Sequence, residues 1–132
     1  MLVVLDTNVL ISALWTPNGK AAYILGQTLA GVLTACYDSR ILDEYKDVLA
    51  RPKFHFSTWQ INALLDTIIR DGMCVIPPPI LDLPFIDDDD RAFFETAKYC
   101  NASLVTGNLR HFPKDECILA VAEFYQRLLN LR

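Results

Sequence analysis

The sequence predicts an α/β fold, a three-layer α/β/α sandwich with a mainly parallel central sheet. Three observations lead there. Short apolar runs alternate with amphipathic ones along the chain, the pattern of repeated strand–helix units. The first run, Leu2-Val3-Val4-Leu5, is apolar at every position, as expected of a strand covered on both faces. Polar residues follow the runs, Asp6 after the first and Asn108 beyond a later one, at the strand ends where such folds bind ligands.

The elements follow in order. No element is assigned to residues 7–15, and Thr16-Pro17-Asn18-Gly19 is a turn. A helix is expected over 21–30, closed by Gly31, and a second strand over 32–37. Ser39 can cap a helix running to about Ala50, where Arg51-Pro52 stops it. Ser57 or Thr58 caps another, with Ile61, Leu64, Leu65, Ile68 and Ile69 at helical spacing and Gly72 at its end. Residues 73–76 read as a third strand, and Pro77-Pro78-Pro79 with Pro84 as a stiff, extended linker. Asp87-Asp88-Asp89-Asp90 leads a helix reaching about Cys100. Ser103-Leu104-Val105-Thr106 is a fourth strand, Gly107-Asn108 a turn, 117–119 a weak fifth strand and 122–129 a closing helix.

At 132 residues the chain is expected to form one domain with a single core. Hydrophobic residues make up 52% and charged residues 21%, which excludes a disordered chain. No apolar run approaches the roughly 20 residues that span a bilayer, and Asp6 interrupts any leader-like start. The four cysteines are scattered without a Cys-x-x-Cys pair and read as small buried hydrophobes of a cytoplasmic protein.

The net charge is −4, whereas nucleic-acid binders are more often basic. Much of the acid is gathered in the four-aspartate run, however. Packed carboxylates repel one another and persist best around something positive, for which a hard divalent cation is the usual candidate. One or two acids suffice to cap a helix and complement its dipole, so four exceed that need. Local basic residues that could grip phosphates are Arg51, Lys53 and His55, and a second group of Arg110, His111 and Lys114. The blander reading is ordinary solvated charge. Neither histidine has a visible partner constellation, and neither is given a catalytic role.

On the helix after Ser39, Ile41, Leu42, Tyr45, Val48 and Leu49 form one apolar stripe. Glu44 borders that stripe, while Asp43 and Asp47 turn towards solvent. Glu44 is therefore the acid of this helix best placed to lean over the sheet edge.

These residues resemble PIN-domain ribonucleases. Leu5-Asp6-Thr7-Asn8-Val9-Leu10-Ile11-Ser12 looks like their opening motif, and Ile41-Leu42-Asp43-Glu44-Tyr45 like their second, with Glu44 in the acidic position. Asp88-Asp89-Asp90-Arg91-Ala92-Phe93-Phe94-Glu95-Thr96-Ala97 resembles the third, where the spacing to a small helix residue selects Asp90 before Ala97. Leu104-Val105-Thr106-Gly107-Asn108 resembles the fourth, usually Thr-Gly-Asp. The ordered set spans nearly the whole chain and is similar to a prokaryotic branch containing toxin-like PIN proteins.

The resemblance implies a metal-dependent endoribonuclease. Asp6, Glu44 and Asp90 would be catalytic and would hold Mg²⁺ or Mn²⁺, with Asn108 as a further, neutral ligand. Thr7, Asn8, Thr106 and Asp89 would support the site, and Arg51, Lys53 and Arg110 would bind RNA. An antitoxin protein and a second copy of the chain are the partners it brings to mind, with Trp15, Phe54, Phe56 and Trp59 as candidate interface or core residues. Asn108 departs from the family pattern, because an amide oxygen carries no charge; Asp88 or Asp89 could compensate. The alternative is a PIN-like module that binds RNA or a protein and cleaves little. Other classes fit worse: the first strand is followed by Asp-Thr-Asn and not Asp-x-Asp, and neither Gly-x-Gly-x-x-Gly nor a Gly-x-x-x-x-Gly-Lys loop is present.

Overall fold

The computed structural model describes residues 1–85 and 87–131. Five strands form one sheet: β1 (Leu2–Leu5), β2 (Thr34–Tyr37), β3 (Met73–Cys74), β4 (Ser103–Thr106) and β5 (Ile118–Ala120). Their order is β3-β2-β1-β4-β5, and every pairing is parallel. Six helices flank the sheet: α1 (Thr7–Trp15), α2 (Lys20–Leu29), α3 (Ser39–Leu49), α4 (Thr58–Asp71), α5 (Arg91–Cys100) and α6 (Val121–Asn130). The α/β/α architecture is the one the sequence predicts. No helix among the described residues is long and apolar enough to cross a membrane.

The strand order fixes where a ligand can sit. From β1 the chain moves outward to β2 and β3, then returns to place β4 on the other side of β1. The carboxyl ends of β1 and β4 therefore flank the switch point, where open parallel sheets leave a crevice. Val3, Val4 and Leu5 are buried, as are Leu104 and Val105 beside them, so the two strands that carry the site are embedded in the core. α5 packs across β1, β2 and β4 and brings its N-terminus to the same edge.

Several elements differ from the sequence expectation. The unassigned residues 7–15 form α1, with Asp6 as its N-cap. Apolar residues occur around most of this helix, and Thr, Val and Ile weaken its intrinsic propensity, so burial against β4, α2 and α3 sets its conformation. The cap of α3 is Asp38, whose carboxylate accepts the Ile41 N–H at 2.9 Å; Ser39 is already helical. For α4, Ser57 is the cap, accepting the Gln60 N–H at 3.1 Å. Ile69, expected on the buried stripe of α4, is 42% exposed. The third strand shrinks to two residues because it is an edge strand whose Ile76 has no core to face and whose continuation meets Pro77, which has no N–H to donate. Only Cys36 of the four free cysteines is buried; Cys74 is exposed and Cys100 and Cys117 are half-buried.

Gly72, between α4 and β3, allows a close approach. A Cβ there would stand 2.5 Å from the Ile68 carbonyl oxygen and 2.6 Å from that of Ala35.

A buried acid ties the segment after β3 to α5. Glu95 is 2% exposed; it accepts the Ile80 N–H at 2.7 Å and pairs with Arg40 at 2.8 Å, which also pairs with Asp38. Arg91 adds hydrogen bonds to the Ile80 and Leu83 carbonyls at 2.8 and 2.7 Å. Glu95→Ala should cost about 1–3 kcal/mol, because it removes the acceptor of the half-buried Ile80 N–H and one of the two carboxylates that pair with Arg40. Limited proteolysis within residues 76–85 should accelerate well before global unfolding; an unchanged cleavage rate there would show that this network does not hold the segment.

Candidate active site at the β1–β4 edge

Asp6 leaves β1 directly into α1 and is 6% exposed. One carboxylate oxygen accepts the Thr7 N–H at 2.8 Å and the other the Thr106 hydroxyl at 2.7 Å. The Asp6 N–H donates to the Val105 carbonyl at 3.0 Å, so the residue is fixed from both strands. Burial pushes its pKa up, against the two hydrogen bonds and His111, which pull it down.

Thr7 carries the network onward. Its hydroxyl donates to Glu44 Oε2 at 2.8 Å, joining the first turn of α1 to the middle of α3. Glu44 is half-buried on the border of its helix, with Asp43 and Asp47 exposed, as the stripe argument requires. Its pKa is raised, first by desolvation and then by Asp6, Asp89 and Asp87. Tyr45, the next residue, is buried with its hydroxyl on the Leu5 carbonyl, which locks α3 to the end of β1.

On the other side, Thr106 at the end of β4 accepts the Asn108 N–H at 2.9 Å. Asn8 accepts the Gly107 N–H at 3.0 Å, so its amide fastens the turn after β4. Asn108 Nδ2 stands 3.0 Å from His111 Nε2, and His111 Nδ1 stands 3.5 Å from Asp90 Oδ2. The contacts form one continuous path: Glu44, Thr7, Asp6, Thr106, Asn108, His111, Asp90. His111 is the member that sequence reasoning missed. It lies on a short 3-10 turn, Leu109–His111, and no motif spacing announces its reach to Asp90.

The four-aspartate run divides by role. Asp88–Asp90 form a 3-10 turn ahead of α5, with Asp87 accepting the Asp89 N–H at 3.0 Å as its cap. Asp87, Asp88 and Asp89 are exposed, and Asp88 is paired with Arg91 at 3.0 Å. Asp90 turns inward; its Oδ2 is buried without a hydrogen-bond partner. Its pKa is driven up to about 7, by desolvation first and then by Asp6, Asp87, Glu44 and Asp89. Asp89 therefore lies near enough to act on both Glu44 and Asp90, while Asp88 is occupied elsewhere. A polar hollow of about 370 Å³ opens beside Glu44, between Asp43 and Asp47 on one wall and Asp88 and Asp89 on the other.

The basic residues separate. Arg110 is exposed on the 3-10 turn next to Asn108, at the acidic edge. Arg51 and Lys53 follow the C-terminus of α3, at the opposite end of that helix from the site edge, and Arg51 is paired with Asp47 at 3.1 Å.

Among the described residues, no lysine or arginine pairs with Asp6, Glu44 or Asp90. Nor do any three histidine, cysteine or carboxylate side chains among them already stand at a spacing that encloses an ion. The donor set nevertheless suits a hard divalent cation. It is made of oxygens, Asp90 offers one that accepts no hydrogen bond, and each bonded carboxylate oxygen of Asp6 retains a second lone pair.

The fold and site together define an all-parallel α/β/α sandwich with carboxylates gathered at its switch point. A family model described as PIN domain matches residues 2–110, and the chain belongs to the PIN-domain family. PIN domains are typically nucleases and generally use divalent metals such as Mg²⁺. No curated protein matches the chain.

Proposed function

We propose that this PIN domain is a metal-dependent endoribonuclease, with Asp6, Glu44 and Asp90 as its metal-holding carboxylates and Asn108 as a neutral outlying ligand. The observation that carries this reading is Asp90. A carboxylate whose buried Oδ2 accepts no hydrogen bond and has His111 Nδ1 3.5 Å away, and whose pKa is pushed up to about 7 by desolvation first and then by neighbouring acids, suits a bound cation.

Bound Mg²⁺ or Mn²⁺ would supply charge neutralisation and Lewis-acid polarisation at the scissile phosphate. The chain's own groups do the positioning. Thr106 and the Thr7 N–H hold both oxygens of Asp6, so its remaining lone pairs point in fixed directions. Thr7 holds Glu44 in the same way, and His111 stands between Asn108 and Asp90. Arg110, free of acidic partners among the described residues, is placed to meet a phosphate on the flank of the site. No protein nucleophile is required.

A second reading has its own support. Asn108 lacks the acid of related motifs, and the carboxylates do not enclose an ion as they stand. A module that binds RNA or a protein and cleaves little is consistent with both. The separating experiment is cleavage of a mixed single-stranded RNA pool with and without Mn²⁺, using Asp6→Asn protein as the control for contaminating nuclease. Metal-dependent cleavage by wild type alone supports the enzyme; equal cleavage by both proteins removes it. The toxin role and the homodimer rest on family resemblance. A small reading frame beside the gene and a doubled mass in sedimentation are the observations that would carry them.

Three substitutions sharpen the assignment. Asn108→Asp adds an anionic oxygen for a hard cation, so it should lower the metal concentration giving half-maximal cleavage. An unchanged metal titration would remove position 108 from the ligand set. Glu44→Gln should slow cleavage strongly and Asp43→Asn, one residue away on the exposed face, far less; equal losses would overturn the choice of Glu44.

A further inference from the structure

An aromatic shelf lies at the end of α1 opposite the carboxylates. Trp15, the last residue of α1, is 57% exposed. Its ring centroid is 5.2 Å from that of Phe54 and 6.3 Å from that of Phe56, and its indole N–H donates to the Phe54 carbonyl at 3.4 Å. Phe54 and Phe56 stack at 5.9 Å, 13° from parallel, with His55 between them in the left-handed region (φ 59°). Lys53 holds its ammonium 5.1 Å from the Phe54 ring centroid, and Arg51 precedes it. Phe54 and Phe56 are half-buried, Phe56 against the core, but the indole of Trp15 is left at the surface on top of them, beside two cations, and core packing does not explain that.

The charge pattern of the chain singles out this place. The protein is acidic overall, yet there is no aspartate or glutamate between Asp6 and Asp38, and none between Asp47 and Asp66. The shelf is where these two acid-free stretches meet. A polyanion repelled by much of the surface finds here Lys53, which pairs with no acid among the described residues, and Arg51, whose acidic partner is the exposed Asp47, beside apolar rings. Those two features together are what single-stranded nucleic acid requires: phosphates attract cations, and bases stack on aromatic rings largely regardless of sequence.

The shelf is also within a strand's reach of the site. Thr7 opens α1 against Asp6 and Glu44, and Trp15 closes it eight residues later, about 12 Å along the axis at the α-helical rise. α3 packs beside α1, with Glu44 midway along it and Arg51 beyond its end. We propose that Trp15, Phe54 and Phe56 seat unpaired bases of the RNA strand that passes the carboxylates, with Lys53 and Arg51 meeting its phosphates. This rests on the nuclease reading for the identity of the strand, but its test does not require cleavage.

The test uses the full chain carrying Asp6→Asn, to prevent cutting, and Trp59→Phe, which leaves Trp15 as the lone tryptophan of the two in the sequence. The probe is a mixed-sequence single-stranded RNA 12-mer, and the same sequence as a duplex. The single strand should quench Trp15 fluorescence, and the duplex, whose bases are already stacked, much less. By anisotropy of labelled RNA, Trp15→Ala should bind about tenfold more weakly and Trp15→Tyr should recover most of that loss. Lys53→Ala should reduce the slope of log affinity against log salt by about one. RNA binding with unchanged Trp15 fluorescence and unchanged affinity in Trp15→Ala overturns the proposal. So does a Trp15→Ala protein that passes from dimer to monomer in sedimentation while binding RNA normally, since the shelf is then a protein interface. Metal-dependent cleavage with the same KM in wild type and Trp15→Ala overturns the shelf and leaves the nuclease standing. Quenching in the Asp6→Asn protein, together with no metal-dependent cleavage of the same RNA by the wild type, leaves the shelf standing and overturns the nuclease.

Discussion

Asp6→Asn is expected to fold as the wild type does and to cleave RNA on the order of 10²–10³-fold more slowly. The fold survives because asparagine is as good an N-cap as aspartate, and its oxygen can still accept the Thr7 N–H. The Thr106 hydroxyl can reverse its role and accept from the new amide while keeping the Asn108 N–H on its other lone pair. What disappears is one negative charge at the switch point. Asp90→Asn should show the same loss with even less structural consequence, because the buried oxygen it alters has no hydrogen-bond partner. The checks are steady-state cleavage of one labelled RNA and a melting curve for each protein. A variant that melts normally and still cleaves at the wild-type rate would place the chemistry elsewhere; one that loses activity only through unfolding would leave the carboxylate untested, so the melting curve decides whether the kinetic result counts.

The sequence carried the convergence of these acids further than their connections. Asp6 could be placed because an apolar strand ended on it, and Glu44 because helical periodicity put it on the border of a buried stripe. Asp90 could be separated from its three neighbours only by resemblance, since four identical residues contain no internal cue. The structure separates them by direction: Asp88 turns to Arg91, Asp87 caps a turn, and Asp90 points inward.

Other features had no local signature. α1 was invisible because its side chains are apolar on most sides, so periodicity is weak where the helix is buried by three neighbours. His111 is a lone histidine three residues past Asn108, and its place between Asn108 and Asp90 depends on how a turn after β4 meets a turn before α5. Arg51 and Lys53 were legible only as local cations that could grip phosphates, and their distance from the carboxylates follows from the helix between them. A helix is rigid and rises about 1.5 Å per residue, so the seven residues from Glu44 to Arg51 carry the cation about 10 Å away. Glu95 looked like part of an acidic motif, yet it is a buried anchor for the segment after β3.

Stability gives a readout that needs no substrate. Asp90 has an ordinary carboxyl pKa of 3.8 when unfolded and one of about 7 in the native protein, and Asp6 and Glu44 are shifted in the same direction. Between those values the folded chain keeps a proton that the unfolded chain has lost. Stability therefore falls as pH rises from about 4 to about 7, then levels off. In chelator, Asp90→Asn should flatten much of that slope and melt at or above the wild type at pH 8, because one of the mutually repelling charges is gone. Added metal should act in the opposite sense. An ion that binds only the folded state stabilises it by RT ln(1 + [L]/Kd), about 2.7 kcal/mol at a hundredfold excess over Kd. Millimolar Mn²⁺ should therefore raise the melting temperature of wild type at pH 8 and steepen the benefit as pH rises, since protons and metal compete for the same oxygens. Asp90→Asn should respond little. Asp66→Asn, on the exposed face of α4, should keep the full wild-type response. The measurement is a melting series of these three proteins at pH 5 and pH 8, with chelator and with Mn²⁺. A full metal shift in Asp90→Asn would mean that the ion sits away from this carboxylate and that the four-aspartate run serves to start α5. A flattened pH slope with no metal shift in any of the three would keep the electrostatics of the site and point to the binding module instead of the nuclease.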